Sequence, residues 1–229
     1  MQARVVATEP RPVGRAIRTP RSAALAGIAF SILFTVALVL VHTAVPADPA
    51  DAGQWLSDSS RRDAVLFAFG LVPFAGIGFL WFVGVLRDRV GDAEDRFFAT
   101  VFLGSGLLFV AMLFVASAVA ASLVASAGHN GDSLVGSASW EVGRRTTYEL
   151  ATVYAMRMAA VFTLATSTIL LRTRLAPRWL VASGYAVAIL LLVTVGFFPW
   201  VELVFPSWVF ALSVYVLIAG LRRGRVEGP

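Results

Sequence analysis

Arg157 is the residue whose type and place most demand a chemical account. It sits in Ala155-Met156-Arg157-Met158-Ala159-Ala160, near the middle of a long apolar run. An arginine at the centre of a membrane helix costs at least about 2.5–3.5 kcal/mol, so it is not expected to face lipid. Stepping about 100° per residue round a helix puts Tyr154 about 60° and Thr168 about 20° away, with apolar Val161 and Leu164 between them. On the same count Thr163 points about 120° away, and Glu149 is about two turns back and about 80° off. Glu202, on a different run, is the other available acid. Arg157, Tyr154, Thr168 and Glu202 therefore make the candidate intramembrane polar site. Two chemistries fit it. In one, a polar cavity lets Arg157 hold an anionic group of a ligand or lipid. In the other, Arg157 is structural, bonded to helix carbonyls and hydroxyls or paired with Glu202. With apolar neighbours and no second ionisable group at its depth, the structural account is favoured.

The remaining reactive side chains form weaker sets. Glu202 falls in the first turn of its run, where a carboxylate meets the positive end of the helix dipole. Pro206 would then free the carbonyl of residue 202 and kink the span. Ser31, Thr35 and His42 lie within about 40° of one another on one helical face. His42 sits near the outer water interface, where a lone histidine is more often an interfacial polar residue than a ligand. His129 lies in a loop, and two histidines so placed do not make a metal site. Cysteine is absent, which excludes disulfides, thiolate metal sites and cysteine nucleophiles. Gly104-Ser105-Gly106 resembles a serine-protease elbow only superficially, because no histidine lies on a span at matching depth. Arg87-Asp88-Arg89 with Asp92, Glu94, Asp95 and Arg96 reads as a solvated salt-bridging turn, since its arginines compete for the carboxylates. No cofactor and no metal are expected.

The elements that carry these residues follow from hydropathy. The 229 residues are 58% hydrophobic and only 14% charged, with a mean hydropathy of +0.79. A soluble domain carries about 25% charged residues to keep its surface wet. Six apolar runs can be read: Ala23–Val45, Ala64–Leu86, Phe97–Ala127, Thr147–Leu171, Leu180–Phe197 and Trp200–Leu221. Each approaches or exceeds the roughly 20 residues that cross a hydrocarbon core. They should be helices, because backbone polar groups in lipid must be satisfied within the segment. The first run is too long for the roughly 7–15-residue apolar region of a cleavable signal, so it reads as an anchor. Small residues mark expected helix contacts: Gly70, Gly76 and Gly78 with Pro73, Gly104 and Gly106, and Ala118, Ser122 and Ser126. Between runs one and two, Pro46–Asp63 is polar and acidic-leaning; between three and four, Gly128–Arg145 is rich in Gly and Ser. Phe198-Pro199-Trp200 would join the last two runs as a tight hairpin.

Charge sets the orientation. All 19 basic residues are arginine. With the N-terminus inside, fourteen of them fall in the cytoplasmic pieces, against Arg61, Arg62, Arg144 and Arg145 outside. The arginines flank apolar runs instead of forming a patch, which argues against nucleic acid as partner. The expected partners are the lipid bilayer, anionic headgroups at the basic cytoplasmic ends, and a membrane-protein partner or a second copy of the chain. The expected organisation is a basic, disordered cytoplasmic tail over 1–21, a transmembrane domain over 22–221 and a basic cytoplasmic tail over 222–229. The fold class is an all-α integral membrane bundle of six transmembrane helices, N-in and C-in, in the cell membrane.

Val153-Tyr154-Ala155-Met156-Arg157-Met158, Thr166-Ser167-Thr168 with Arg172-Thr173, and Pro199-Trp200-Val201-Glu202 with Phe205-Pro206-Ser207-Trp208 resemble stretches of multi-pass membrane proteins from high-GC, actinobacterial-type bacteria. Glu94-Asp95-Arg96-Phe97-Phe98-Ala99-Thr100-Val101-Phe102 is similar. The resemblance implies location; no activity or catalytic residue comes with it. The leading expectation is a non-catalytic membrane protein acting through lipid or protein partners. The alternatives are a small transporter or channel-like protein with a polar pathway around Arg157, and, behind it, a membrane-embedded enzyme on a lipid substrate.

Overall fold

A computed structural model of the chain describes residues 20–45, 53–90, 96–130, 134–196, 198 and 200–226. The stretch read as an N-terminal tail lies outside them up to residue 19. The described residues form helices joined by short turns, with no strand among them. Helix α1 (Pro20–Ala44) is followed by a 3-10 turn at Gln54–Ser57, then α2 (Ser59–Val90) and α3 (Arg96–Asn130). Next come α4 (Ala138–Tyr148), a π-helical turn (Glu149–Ala155) and α5 (Met156–Thr173), which run on as one rod. The chain ends with α6 (Arg178–Thr194), a 3-10 turn (Val201–Leu203) and α7 (Val204–Val226). Five helices are long and apolar enough to cross a membrane; α6, at 17 residues, is a shorter apolar helix.

Four features depart from the sequence reading. The stretch before Arg145 is helix from Ala138 onward, started by Ser137, whose hydroxyl accepts from the Trp140 amide at 3.2 Å. Helix α7 continues to Val226, into the stretch expected to be a tail. It also lies chiefly along α1 instead of pairing tightly with α6. Pro206 falls in the first turn of α7, where its missing amide hydrogen has no partner to lose, so it starts that helix and does not kink it.

The interior is built around phenylalanine. Phe30 of α1, Phe79 of α2, Phe109 of α3, Phe162 of α5 and Phe205 of α7 are all fully buried. Their rings touch in sequence: Phe30–Phe79 at 4.8 Å, Phe79–Phe109 at 5.1 Å, Phe79–Phe162 at 5.0 Å and Phe109–Phe205 at 5.1 Å between centroids. Every long helix thus sends one ring to a common layer. A second, smaller cluster (Ala44, Leu56, Val65, Val124, Ala127 and Trp140) closes the end that carries α4 and the first 3-10 turn, called the cap end below. The outside of the bundle is apolar as well: Phe67, Phe74, Ile77 and Trp81 form one exposed stripe along α2. Apolar inside and apolar outside together are what a lipid-embedded bundle requires.

Candidate functional site

The best-formed polar constellation lies at the cap end, where three elements meet. His42, near the C-terminus of α1, places its Nε2 3.3 Å from Oε2 of Glu202, on the 3-10 turn that leads into α7. The other ring nitrogen, Nδ1, is 2.9 Å from the carbonyl oxygen of Leu38, one turn back in α1. Trp200 stacks on the imidazole with 4.7 Å between centroids and 30° between planes. Its backbone takes φ 72°, a left-handed value that a bulky residue rarely adopts. Thr152, in the π-helical turn, brings a hydroxyl to the third side of the Glu202 carboxyl. The side chains are neither sealed nor open: 25% of His42 and 11% of Glu202 is accessible.

Local sequence explains the arrangement. The π-turn inserts an extra residue into the α4–α5 rod, rotating the face on which Thr152 sits relative to α5. Such turns are rare, and they recur at functional sites. Gly196 (φ 89°) and Trp200 (φ 72°) both take left-handed backbone, and Glu202 follows on the 3-10 turn that leads into α7. There its carboxyl also benefits from the positive end of the helix.

The residues expected to form one site separate into three places. Glu202 pairs with His42 and not with Arg157. Thr168 is half-buried; its hydroxyl bonds the Leu164 carbonyl at 2.9 Å and the Tyr185 hydroxyl of α6 at 2.9 Å, tying the α5–α6 pair. Arg157 and Tyr154 do share a face, but it is the outward one: both are exposed, Tyr154 by 53%. No ion pair or hydrogen bond links Arg157 to another described residue. Thr163, by contrast, is buried and donates to the Ala159 carbonyl at 2.8 Å.

The exposed arginine has a physical explanation in the register of the α5–α6 pair. Ser167 and Gly184 oppose each other so closely that a Cβ on Gly184 would sit 2.1 Å from the Ser167 Oγ. Ten residues from each toward the cap end lie Arg157 and Thr194, and Thr194 is the last residue of α6. Arg157 is therefore level with the end of a neighbouring apolar helix, about 7.5 Å along the axis from the Phe162 layer at about 1.5 Å per residue. Helix side chains lean toward the N-terminus, which for α5 is the cap end. A long arginine there can carry its charge to the end of the apolar zone while its stem stays in it.

Sequence reasoning missed the His42–Glu202 contact and Thr152. It had placed both His42 and Glu202 near the outer ends of their spans, which was the available signal. What it lacked was the adjacency of α1 and α7, far apart along the chain. Neither helix periodicity nor composition marks the π-turn. Among the described residues no group of three or more metal-ligating side chains converges. Compared with models of known families, with curated proteins and with solved structures, the chain matches none.

Proposed function

We propose that the chain is a six-span membrane protein, N-in and C-in, that is non-catalytic and acts by holding an anionic group on its outward Arg157–Tyr154 face. The observation that carries this reading is an exposed, unpaired arginine on an otherwise apolar helix exterior. A cation in that setting gains most from a phosphate or carboxylate brought by a neighbour, with the tyrosine hydroxyl one turn away as a further donor. Two sources offer the same chemistry: the phosphate of an anionic lipid, or an acidic side chain of a partner subunit.

Six spans are supported by the length of α6. At about 1.5 Å per residue its 17 residues reach about 25 Å, close to a hydrocarbon core of about 30 Å. The arginine distribution supports the orientation, and with it a place in the cell membrane. The phenylalanine layer favours a binding role over a polar pathway, because five rings occupy the space between the long helices where water would have to pass.

The test is extraction in a gentle detergent, followed by intact-complex mass measurement and lipid analysis, on wild type and Arg157→Gln. Wild type is expected to retain a stoichiometric anionic lipid or an acidic protein subunit, and Arg157→Gln to lose it. Lipid analysis distinguishes the first source from the second. A wild type carrying neither, or a variant that retains its companion, would overturn the reading. Reporter fusions after residue 226 and within 131–133 check the sidedness, and both on one side would refute it.

A further inference from the structure

We propose that His42, Glu202 and Thr152 form a proton-operated clasp at the cap end, which holds α1, the start of α7 and the π-turn together when protonated and releases them when the proton leaves. It is independent of the Arg157 reading and uses different residues.

The proton requirement follows from which atoms can donate. The Leu38 carbonyl is an acceptor only, so the Nδ1 beside it at 2.9 Å must carry hydrogen. A neutral imidazole with hydrogen on Nδ1 has a bare lone pair on Nε2. That nitrogen faces a Glu202 oxygen at 3.3 Å. If Glu202 is an ionised carboxylate, two lone pairs oppose each other and the contact repels. One further proton removes the conflict in either of two ways: on the ring, giving an imidazolium against a carboxylate, or on the carboxyl, giving an acid that donates to Nε2. Moving hydrogen from Nδ1 to Nε2 repairs the Glu202 contact only by setting two lone pairs against each other at Leu38. The closed geometry therefore holds one proton more than a neutral histidine beside a carboxylate.

Among the described residues, the surroundings add to the closed state and supply no competing charge. The indole of Trp200 lies against the ring, a favourable partner for a cationic imidazole. The left-handed backbone of Trp200 stores strain that this stack and the Glu202 contacts hold in place. The elements against Glu202 are α1, the π-turn and the end of α6. Helix α1 contributes His42. The π-turn contributes Thr152, while Glu149 and Tyr148 at its start are exposed. The last turn of α6, Leu191–Thr194, has no ionisable side chain. Among the described charged groups, only His42 pairs with Glu202.

The sign follows directly. Since the closed state carries the extra proton, it is favoured at low pH and weakened as pH rises, and partial exposure of both side chains lets water deliver and remove that proton. Release would free the 3-10 turn at Val201–Leu203 and the last turn of α1 from each other.

Amide hydrogen exchange in lipid nanodiscs, corrected for the intrinsic pH dependence of exchange, reads the clasp at residues 38–45 and 200–204. Between about pH 5 and 8, the interval in which histidine chemistry ordinarily operates, wild-type protection is expected to fall roughly two- to tenfold, the equivalent of one net hydrogen bond. In Glu202→Gln the amide donates to Nε2 without needing a proton, so protection should be high and flat. In His42→Leu it should be low and flat. Nitrogen-labelled histidine gives a second readout with His129 as internal reference: Nδ1 of His42 should be protonated at about pH 5. A flat wild-type profile, the same step in Glu202→Gln, or a bare Nδ1 at that acid limit would each overturn the clasp.

Discussion

Gly184→Ala puts one methyl group where three helices meet, and its cost can be worked from the structure. The new Cβ would lie 2.1 Å from the Ser167 Oγ, 2.8 Å from Cζ2 of Trp208 and 3.0 Å from its Cε2. The serine hydroxyl can rotate away, and since it is buried without a partner it loses little by doing so. The indole cannot move so cheaply. It is 3% exposed, and its Nε1 donates to the Leu180 carbonyl at 3.3 Å. Either the ring shifts and that bond breaks, or α6 moves away from α5 and α7. Overpacking costs about 1–3 kcal/mol, and a net hydrogen bond about 1 kcal/mol. The expected destabilisation is therefore about 2–4 kcal/mol, read by equilibrium unfolding in mixed micelles. Trp208→Phe removes the atoms that collide. In that background the same glycine substitution should cost at least about 1 kcal/mol less, a coupling typical of residues in contact. A Gly184→Ala protein within about 0.5 kcal/mol of wild type, or one whose penalty is unchanged in the Trp208→Phe background, would refute the reasoning, since surface changes alone stay within that range.

The other predictions are simpler. Gly70 and Gly104 have open space where a Cβ would go. Gly70→Ala and Gly104→Ala should therefore be neutral or stabilising by up to about 1 kcal/mol in the same unfolding assay. Gly76→Ala should destabilise, because its Cβ would meet the Phe114 ring at 2.3 Å. Thr168→Val should cost about 0.6 kcal/mol, the average worth of a hydrogen bond between membrane helices. A Thr168→Val/Tyr185→Phe double variant should cost no more than the single one if their 2.9 Å bond is the whole effect. Asp58 caps α2, accepting from the Ser60 hydroxyl at 2.8 Å and amide at 2.9 Å, and these bonds, the hydroxyl first, hold its carboxyl below the usual aspartate range. Its contribution is thus complete above about pH 4 and lost as pH falls through the lowered folded value. Asp58→Ala should lower exchange protection in the first turn of α2 at neutral pH and abolish the acid-dependent part of that loss.

Much of the architecture was legible before any coordinates. Helices α1, α2, α3, α6 and α7 begin and end within about a turn and a half of where the apolar runs do, because in lipid a run of that length has few alternatives to helix. The run read from Thr147, by contrast, takes in the end of α4 and the whole π-turn before α5 begins at Met156. Helix α4 was not read, although Ser137 as cap and Glu141 in the first turn mark its start. Its polar sequence lies outside the long apolar runs from which the helices were read. The contact residues were read only in part. Gly76, Gly78 and Gly106 do meet neighbouring helices, whereas Gly70 and Gly104 meet nothing, and Ala118, Ser122 and Ser126 face outward. The four residues read as one candidate site do not come together as one group. Glu202 belonged with His42, Thr168 with Tyr185, and Arg157 with the exterior.

By itself the sequence determined that this chain is a set of apolar helices bounded by arginine, with very few side chains able to do chemistry. Those properties are summed residue by residue and need no knowledge of neighbours. Which face of each helix turns inward was decided only by tertiary structure. In a soluble protein, water separates the two faces by polarity. Here the surroundings are as apolar as the core, so buried Phe79 and exposed Trp81 look alike to hydropathy. Close fit between particular helices sets the faces instead, and with them the meeting of His42 with Glu202 and the outward turn of Arg157.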